Sequence, residues 1–207
     1  MITKFNLNQL DGECINGLGL PYIPCPSILI IGDNNSSNKV INDIKAHYNG
    51  QMLSMHMTKY SADDIDSFLN FQLNRIKKYR NSNKDDICGF GLNDYKSILI
   101  LDKIDNKTII NNENIQKIWL NGNRHWKMHC VIAVNNCVLL NISFISNTDF
   151  VFVTKNDKND SKLAMTYRMF FSSHFKRFDD FEEELNKHSF LVCNLYNDKV
   201  YYGLNSL

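Results

Sequence analysis

Two unbroken aliphatic runs, residues 27–31 and 97–101, constrain the fold of this chain more than any other feature. A run without a polar face fits a strand that is covered on both sides, as in the centre of a parallel α/β sheet. The first run ends at Gly32 and the second ends at Asp102. Because the carboxyl ends of such strands border the crevice where open α/β sheets bind ligands, both residues are candidates for a functional site.

The rest of the chain predicts strands that alternate with helices. Further strands are predicted at residues 52–57, 130–134 and 150–154, and residues 190–202 have the pattern of a terminal hairpin. Helices are predicted from Lys39, from a capping box at Ser61 to about Tyr79, between residues 111 and 120, and over residues 179–187. This order predicts an α/β fold with a mainly parallel sheet flanked by helices and a β-rich carboxyl-terminal end.

The distribution of glycine and proline predicts one domain with a lead-in. Residues 1–26 are dense in both residue types, which favours irregular structure over a helix. Residues 27–207 contain no repeat and no linker, so we expect them to form a single domain. Within this domain the polar residues 155–162 predict a loop.

Charge and cysteine content narrow the class of protein. The formal net charge is +1 and neither end carries a block of charge, so any contact with nucleic acid must be local. The six cysteines form no CxxC pair, which favours free thiols in a reducing compartment. The amino terminus lacks a signal-peptide pattern and no apolar run is long enough to span a bilayer. We therefore expect a soluble intracellular protein.

The stretch from Gly32 to Lys39 is a candidate phosphate-binding loop, because a strand, a loop that starts with glycine and a helix direct amides at an anion. The signature is G-x-x-x-x-G-K-[ST], and this chain has Ser37, Asn38 and Lys39 at its last three positions. Ser37 adds a Cβ against the phosphate, Asn38 lacks a charge, and Lys39 offers no hydroxyl to Mg²⁺. If the loop is one residue longer, Lys39 regains its place, but Val40 then lacks the hydroxyl. Replacing the three residues by Gly, Lys and Thr should restore Mg·ATP binding.

The order of these elements resembles a known family, the poxvirus-type genome-packaging ATPases of large DNA viruses, in the FtsK–HerA branch of P-loop NTPases. The resemblance rests on residues 28–39, on the strand that ends at Asp102, on the strand that ends at Asn135, and on residues 120–125, 145–152 and 178–202. Its most specific part is the Asn-Gly-x-Arg-His element at residues 121–125. The resemblance covers nearly the whole chain from residue 27 and implies a P-loop NTPase-like domain.

The resemblance also implies roles for single residues. Asp102 matches the acid that holds Mg²⁺, although it could also be an ordinary cap of the next turn. Asn135 matches a polar sensor residue, and Lys103 stands where the family has the carboxylate that polarises water. Arg124 and His125 match phosphate-facing or subunit-facing residues, but they are equally typical of charges that compensate a helix dipole. Lys39 is then either a phosphate contact or a solvated helical residue.

Two other clusters have a functional and a structural interpretation. His125, His129, Cys130 and Cys137 lack a closed four-ligand spacing, so no zinc is expected. The phenylalanines between residues 170 and 181 are interleaved with basic residues, as in some nucleic-acid surfaces. The interpretation that we favour is that these rings pack a helix onto the sheet and that the charges stay in solvent.

Taken with its departures from the family pattern, the resemblance implies a divergent homologue of viral DNA-packaging ATPases with impaired catalysis, acting in virion assembly or genome handling. An active packaging ATPase with an atypical P-loop and a nucleotide-independent interaction module are the alternatives. The cofactors implied are ATP and Mg²⁺. The partners implied are further copies of the chain, viral packaging or assembly proteins and DNA, but no membrane. The expected location is the viral factory of the host cytoplasm or the virion, without secretion.

Overall fold

The computed structural model of the protein describes residues 2–12, 14–15, 21–22, 25–84, 94–137, 140–155 and 160–203. Its strands are β1 (Thr3–Lys4), β2 (Cys14–Ile15), β3 (Pro21–Tyr22), β4 (Ser27–Ile31), β5 (Leu53–Met57), β6 (Ser97–Leu101), β7 (Met128–Val134), β8 (Phe150–Thr154), β9 (Phe190–Asn194) and β10 (Lys199–Gly203). Its α-helices are α1 (Asn34–Tyr48), α2 (Ala62–Ser82), α3 (Asn106–Asn111), α4 (Glu113–Asn121), α5 (Ile142–Ser146), α6 (Asp160–Thr166) and α7 (Phe178–Lys187). A 3-10 helix spans Leu7–Asp11, and π-helical turns span Gly122–Trp126 and Tyr167–Phe171.

Eight strands form one sheet in the order β1-β10-β9-β8-β4-β7-β6-β5. Neighbouring strands from β5 to β8 in this order are parallel, whereas β9 pairs antiparallel with both β8 and β10. The predicted α/β class, the mainly parallel sheet and the terminal hairpin are therefore confirmed. Among the described residues, no helix combines the length and the apolar character needed to cross a bilayer.

Helices cover both faces of the sheet, which explains the two aliphatic runs. Successive side chains of a strand point to opposite faces, so each of these strands contributes to two cores. Ile28 and Ile30 of β4 pack on the α1 side with Ile41, whereas Leu29 and Ile31 pack on the opposite side with residues of α2, α4 and α7. Every residue of β4 and β6 is buried as a result.

The first helix after β4 begins earlier than the sequence predicted. We expected it to begin near Lys39 after a long loop, but α1 begins at Asn34. The physical reason is that Asp33 acts as an N-cap, with a side chain that accepts hydrogen bonds from the amides of Asn35 and Ser36. The expectation of a long loop was therefore wrong.

Two further segments also differ from the prediction. Helix α6 begins at Asp160, inside the predicted polar loop, and Leu163 packs it against the core. The lead-in contributes β1 to the edge of the main sheet, and the ring of Phe5 contacts the ring of Phe152 at 5.3 Å. The division into residues 1–26 and a domain at 27–207 stays a prediction.

The phenylalanine cluster is a packing feature, as expected. Phe170, Phe171, Phe175 and Phe181 are buried in the core on the side of the sheet opposite α1. Phe171 and Phe181 lie with their ring centroids 4.9 Å apart, which joins the π-helical turn to α7. The basic residues Lys176 and Arg177 are exposed.

Candidate functional site

The carboxyl ends of the parallel strands bring most of the predicted site residues to one edge of the sheet. Gly32 follows β4, Asp102 follows β6 and Asn135 follows β7. Because β7 lies between β4 and β6, Asp102 is on the next-but-one strand from Gly32. The amide of Asp102 donates to the carbonyl of Met57 at 2.8 Å, which continues the β5–β6 ladder to this edge.

The junction between β4 and α1 is much shorter than a phosphate-binding loop. Gly32 and Asp33 alone separate the strand from the helix. Asp33 Oδ1 accepts hydrogen bonds from the amides of Asn35 and Ser36, both at 2.8 Å. Asp33 Oδ2 also accepts from Ser36 Oγ at 3.2 Å. A carboxylate of the protein therefore already occupies the position in which a helix N-terminus binds an anion.

The crevice beside this junction is filled by protein atoms. A Cβ atom on Gly32 would lie 1.7 Å from Thr154 Oγ1, so the end of β8 presses directly on the end of β4. Gly32, Asn135, Thr154, Lys162 and Thr166 line the remaining cavity, whose volume is about 10 Å³. This volume holds about one water molecule. Helix α6 supplies Lys162 and Thr166 and so closes one side of this cavity.

The three residues aligned with the end of the phosphate-loop signature lie on α1. Ser37 is buried, and its hydroxyl has no hydrogen-bond partner within the described part of the chain. Asn38 and Lys39 follow Ser37 in the same helix, and both are half-buried. Lys39 lines a different cavity, of about 330 Å³, which lies on the other side of the first turn of α1 and is also lined by Asn35, Ser36, Lys155 and His188. These residues therefore form the first turns of a helix and are not wrapped around an anion.

Asp102 is buried, with 2% of its surface exposed, and it faces a histidine that the sequence analysis did not select. His56 Nε2 lies 3.6 Å from Asp102 Oδ2, and His56 Nδ1 lies 3.3 Å from Lys45 Nζ. Burial lowers the pKa of His56 and the charge of Lys45 lowers it further, against the attraction of Asp102. A neutral imidazole with its hydrogen on Nε2 can accept from Lys45 while its N–H points at the carboxylate.

The predicted pairing of strands could have identified His56. It belongs to the predicted strand at residues 52–57 and is the register partner of Ile100. Ile100 is two residues before Asp102, so His56 and Asp102 share one face of the sheet. Sequence reasoning missed the histidine because strand pairing, rather than a motif, places it beside the carboxylate.

Lys103 and Asn135 line a second cavity at this edge, between the ends of β6 and β7. Its volume is about 330 Å³, and its polar lining also includes Asp105, Asn106, Lys107 and Asn136. Lys103 has φ 61°, in the left-handed region that residues other than glycine rarely adopt. Asn135 also lines the small cavity around Gly32, so the two spaces are neighbours at this edge.

Arg124 and His125 lie far from this edge in the fold. They belong to the π-helical turn between α4 and β7, which leads into the amino end of β7. His125 is exposed, and the side chain of Arg124 lies outside the described part. The structure does not bring these two residues together with Asp102, and their predicted roles stay predictions. Arg124 lies three residues after the last residue of α4, which is the setting of the helix-dipole alternative.

The histidine and cysteine candidates for zinc lie on different faces of the sheet. His129 is fully buried on the α1 side, where its ring lies 4.7 Å from that of Tyr48. Cys130 is buried in the core on the opposite side together with Cys137. Neither ring nitrogen of His129 has a hydrogen-bond partner within the described ranges. Burial, with the charge of Lys96, holds the pKa of His129 well below its usual value.

The residues around Gly32 do not fit a Mg·ATP complex of the kind that P-loop NTPases hold. The helix amides are capped by Asp33, the cavity has space for about one water, and the Asp102 carboxylate faces His56. No hydroxyl follows Lys39 to supply a ligand to Mg²⁺.

No protein-family model and no curated protein matches the sequence. Three solved structures of the genome packaging NTPase B204 from Sulfolobus turreted icosahedral virus 2 are similar in structure to this chain. The complex with ATP-gammaS is 13% identical with a TM-score of 0.50, the complex with AMP is 14% identical with a TM-score of 0.51, and the complex with sulfate is 14% identical with a TM-score of 0.52. Each match covers 88% of this chain, and 98%, 98% and 97% of the respective B204 chains. The chain therefore has the P-loop NTPase-like fold of a viral genome-packaging NTPase.

Proposed function

We propose that this chain is a divergent homologue of viral genome-packaging ATPases that does not hydrolyse ATP and that acts as a non-catalytic partner in virion assembly or genome handling. The similarity of fold to B204 supports the relationship. The observation that carries the loss of catalysis is the cap formed by Asp33, which takes the helix amides that a phosphate needs.

The negative charge of Asp33 also opposes phosphate binding at the start of α1. A phosphate at the start of α1 would lie next to the Asp33 carboxylate, and two like charges about 4 Å apart repel by roughly 4 kcal/mol at an effective dielectric constant of about 20. A phosphate loop offsets such costs with several backbone amides and a lysine. Here the two-residue connection offers no loop amides, and Lys39 lies further along the helix.

The catalytic positions support the same proposal. The carboxylate of Asp102 is buried and faces His56 at 3.6 Å, so its nearest partner is a protein side chain. Lys103 follows in a left-handed conformation and carries a positive charge at the position where the family has the acid that polarises water. The partners that we propose are copies of this chain or viral packaging proteins acting on DNA, in the viral factory or the virion.

The test is a measurement of phosphate release from Mg·ATP by the purified chain, with and without double-stranded DNA. We expect a rate equal to that of a heat-denatured sample. The matched control is Asp102→Asn, which keeps the side-chain volume but removes the charge. Turnover by the parent that is lost in Asp102→Asn would overturn the proposal, because it would show that this edge is an active Mg²⁺ site.

A further inference from the structure

The cavity between the ends of β6 and β7 has the size and position of a ligand site. Its volume of about 330 Å³ compares with the range of roughly 300–1,000 Å³ for small-molecule pockets. It opens at the carboxyl edge of parallel strands, where α/β sheets bind ligands. We propose that this cavity binds a phosphate group, held by Lys103, Lys107 and the amide of Asn135.

The charges of the lining favour an anion. Lys103 and Lys107 are exposed, and neither ammonium has a hydrogen bond or an ion pair with any residue that the structure describes. The carboxylate in the lining, that of Asp105, caps α3 by accepting hydrogen bonds from the amide of Thr108 at 2.9 Å and from its hydroxyl. The two lysine charges therefore exceed the one carboxylate charge of Asp105, which leaves a net positive charge in the lining.

Fixed polar groups hold the shape of the site. Asn106 Nδ2 donates to the carbonyl of Asn136 at 2.8 Å, which ties the start of α3 to the loop after β7. This bond leaves the neighbouring amide of Asn135 exposed and without a partner among the described residues. Asn135 therefore adds a neutral hydrogen-bond donor to the lining that contains Lys103 and Lys107.

The backbone of Lys103 supports a binding role. Its left-handed conformation is strained for a side chain with a Cβ, and such residues are concentrated at binding and active sites. The turn occurs directly after Asp102, whose amide still belongs to the β5–β6 ladder. The reversal places Lys103 on the wall of the cavity that Lys107 also lines.

The lining selects a phosphate group over a whole nucleotide. Lysine ammonium groups bind phosphate as point charges, whereas planar carboxylates favour the fork of an arginine. The lining holds no aromatic side chain on which a base could stack. The phosphate could come from a small phosphate ester or from a nucleic-acid backbone. The site shares Lys103 with the function proposed above, but phosphate binding there does not require that ATP hydrolysis is lost, so the two proposals are tested separately.

The experiment is calorimetric titration of the full chain at low salt, with EDTA present, using inorganic phosphate, ATP and a single-stranded thymidine oligonucleotide as three separate probes. The variants are Lys103→Gln, Lys107→Gln and their combination. Lys176→Gln is the matched control, because it removes the charge of another exposed lysine outside the cavity. Lys103→Gly removes the charge and relieves the left-handed strain, so it separates binding from folding.

We expect each single glutamine variant to weaken binding by about tenfold, because each removes one charge-assisted contact. Lys103→Gly should lose binding equally while melting no lower than the parent, and Lys176→Gln should bind like the parent.

Lysine-dependent binding of the oligonucleotide alone identifies a nucleic-acid backbone, and lysine-dependent binding of phosphate and ATP identifies a small ester. Equal binding by the parent and the double variant, an equal loss in Lys176→Gln, or no binding of any probe would overturn the inference. Mg²⁺-dependent hydrolysis is measured separately, so either proposal can fail without the other.

Discussion

Two neighbouring regions at the same edge of the sheet, both lined by Asn135, differ in how much space they leave open. At the end of β4 the cavity measures about 10 Å³, whereas between β6 and β7 it measures about 330 Å³. Both regions rest on the same buried parallel strands. The difference lies in the connections: Asp33 and Thr154 close the first region, and the left-handed turn at Lys103 opens the second. A shared fold therefore fixes where a site can form, but short connections decide which site does form.

The largest expected effect tests the closed region through Gly32. In Gly32→Ala the new Cβ would meet Thr154 Oγ1 at 1.7 Å and Thr154 Cβ at 3.0 Å. Overpacking of this kind costs about 1–3 kcal/mol of unfolding free energy. Denaturant unfolding measures the loss, and Gly12→Ala is the control, because its Cβ would have an ordinary contact at 3.4 Å.

A second substitution sharpens that test. Thr154 Oγ1 is buried and has no hydrogen-bond partner within the described ranges, so Thr154→Ala removes an uncompensated polar atom. We expect Thr154→Ala to restore part of the stability lost in Gly32→Ala. Additive effects of the two substitutions would show that a Cβ at position 32 does not clash with the side chain of Thr154.

The next prediction concerns the pH dependence of stability. It tests the edge of the sheet opposite the candidate site, where His129 is buried at the start of β7. Its pKa is lowered in the folded state, so the unfolded chain binds a proton more readily and stability falls as the pH drops below about 6.5. The slope for one such histidine is about 1.4 kcal/mol per pH unit. His129→Phe should flatten this dependence in urea unfolding between pH 7 and pH 5, while keeping the ring next to Tyr48.

His56 is the control for that experiment, because its pKa is lowered too but its side chain is partly exposed. We expect His56→Phe to leave most of the acid sensitivity in place. If the parent and His129→Phe lose stability in parallel on acidification, buried His129 is not the group that titrates.

A smaller effect tests the cap itself. Asp33→Ala removes the acceptor of two amides and should lower the unfolding free energy by about 1 kcal/mol, within a range of roughly 0.5–2. Asp33→Asn keeps an acceptor and should be milder. Equal stability of the parent and the alanine variant in thermal melting would contradict the assignment of Asp33 as the anion that occupies this site.

Sequence reasoning predicted the strands better than the site, for a physical reason. The aliphatic runs at residues 27–31 and 97–101 allow only strands buried on both faces, so sheet class and the positions of Gly32 and Asp102 could be derived. The closure of the crevice could not be derived. It depends on Asp33, which caps a helix where a loop was expected, and on Thr154, which belongs to a strand distant in sequence. His56 was missed because register, rather than spacing, brings it to Asp102.

The smallest expected effect concerns the phosphate-loop repair, and here the structure reverses the expectation from sequence. The substitutions Ser37→Gly, Asn38→Lys and Lys39→Thr restore the sequence signature, but the three positions lie within α1. The repaired chain would still begin its helix at the Asp33 cap, next to a cavity of about 10 Å³. We therefore expect no Mg²⁺-dependent shift of the melting temperature with ATP, whereas ligand at a hundred times its Kd would add about 2.7 kcal/mol. Glycine within α1 should itself lower stability by up to about 1 kcal/mol, so Ser37→Gly alone is the matched reference. A Mg²⁺-dependent stabilisation of the triple variant, absent from that reference, would show that the junction can unwind into a phosphate loop and that the two regions of this edge differ less than their cavities indicate.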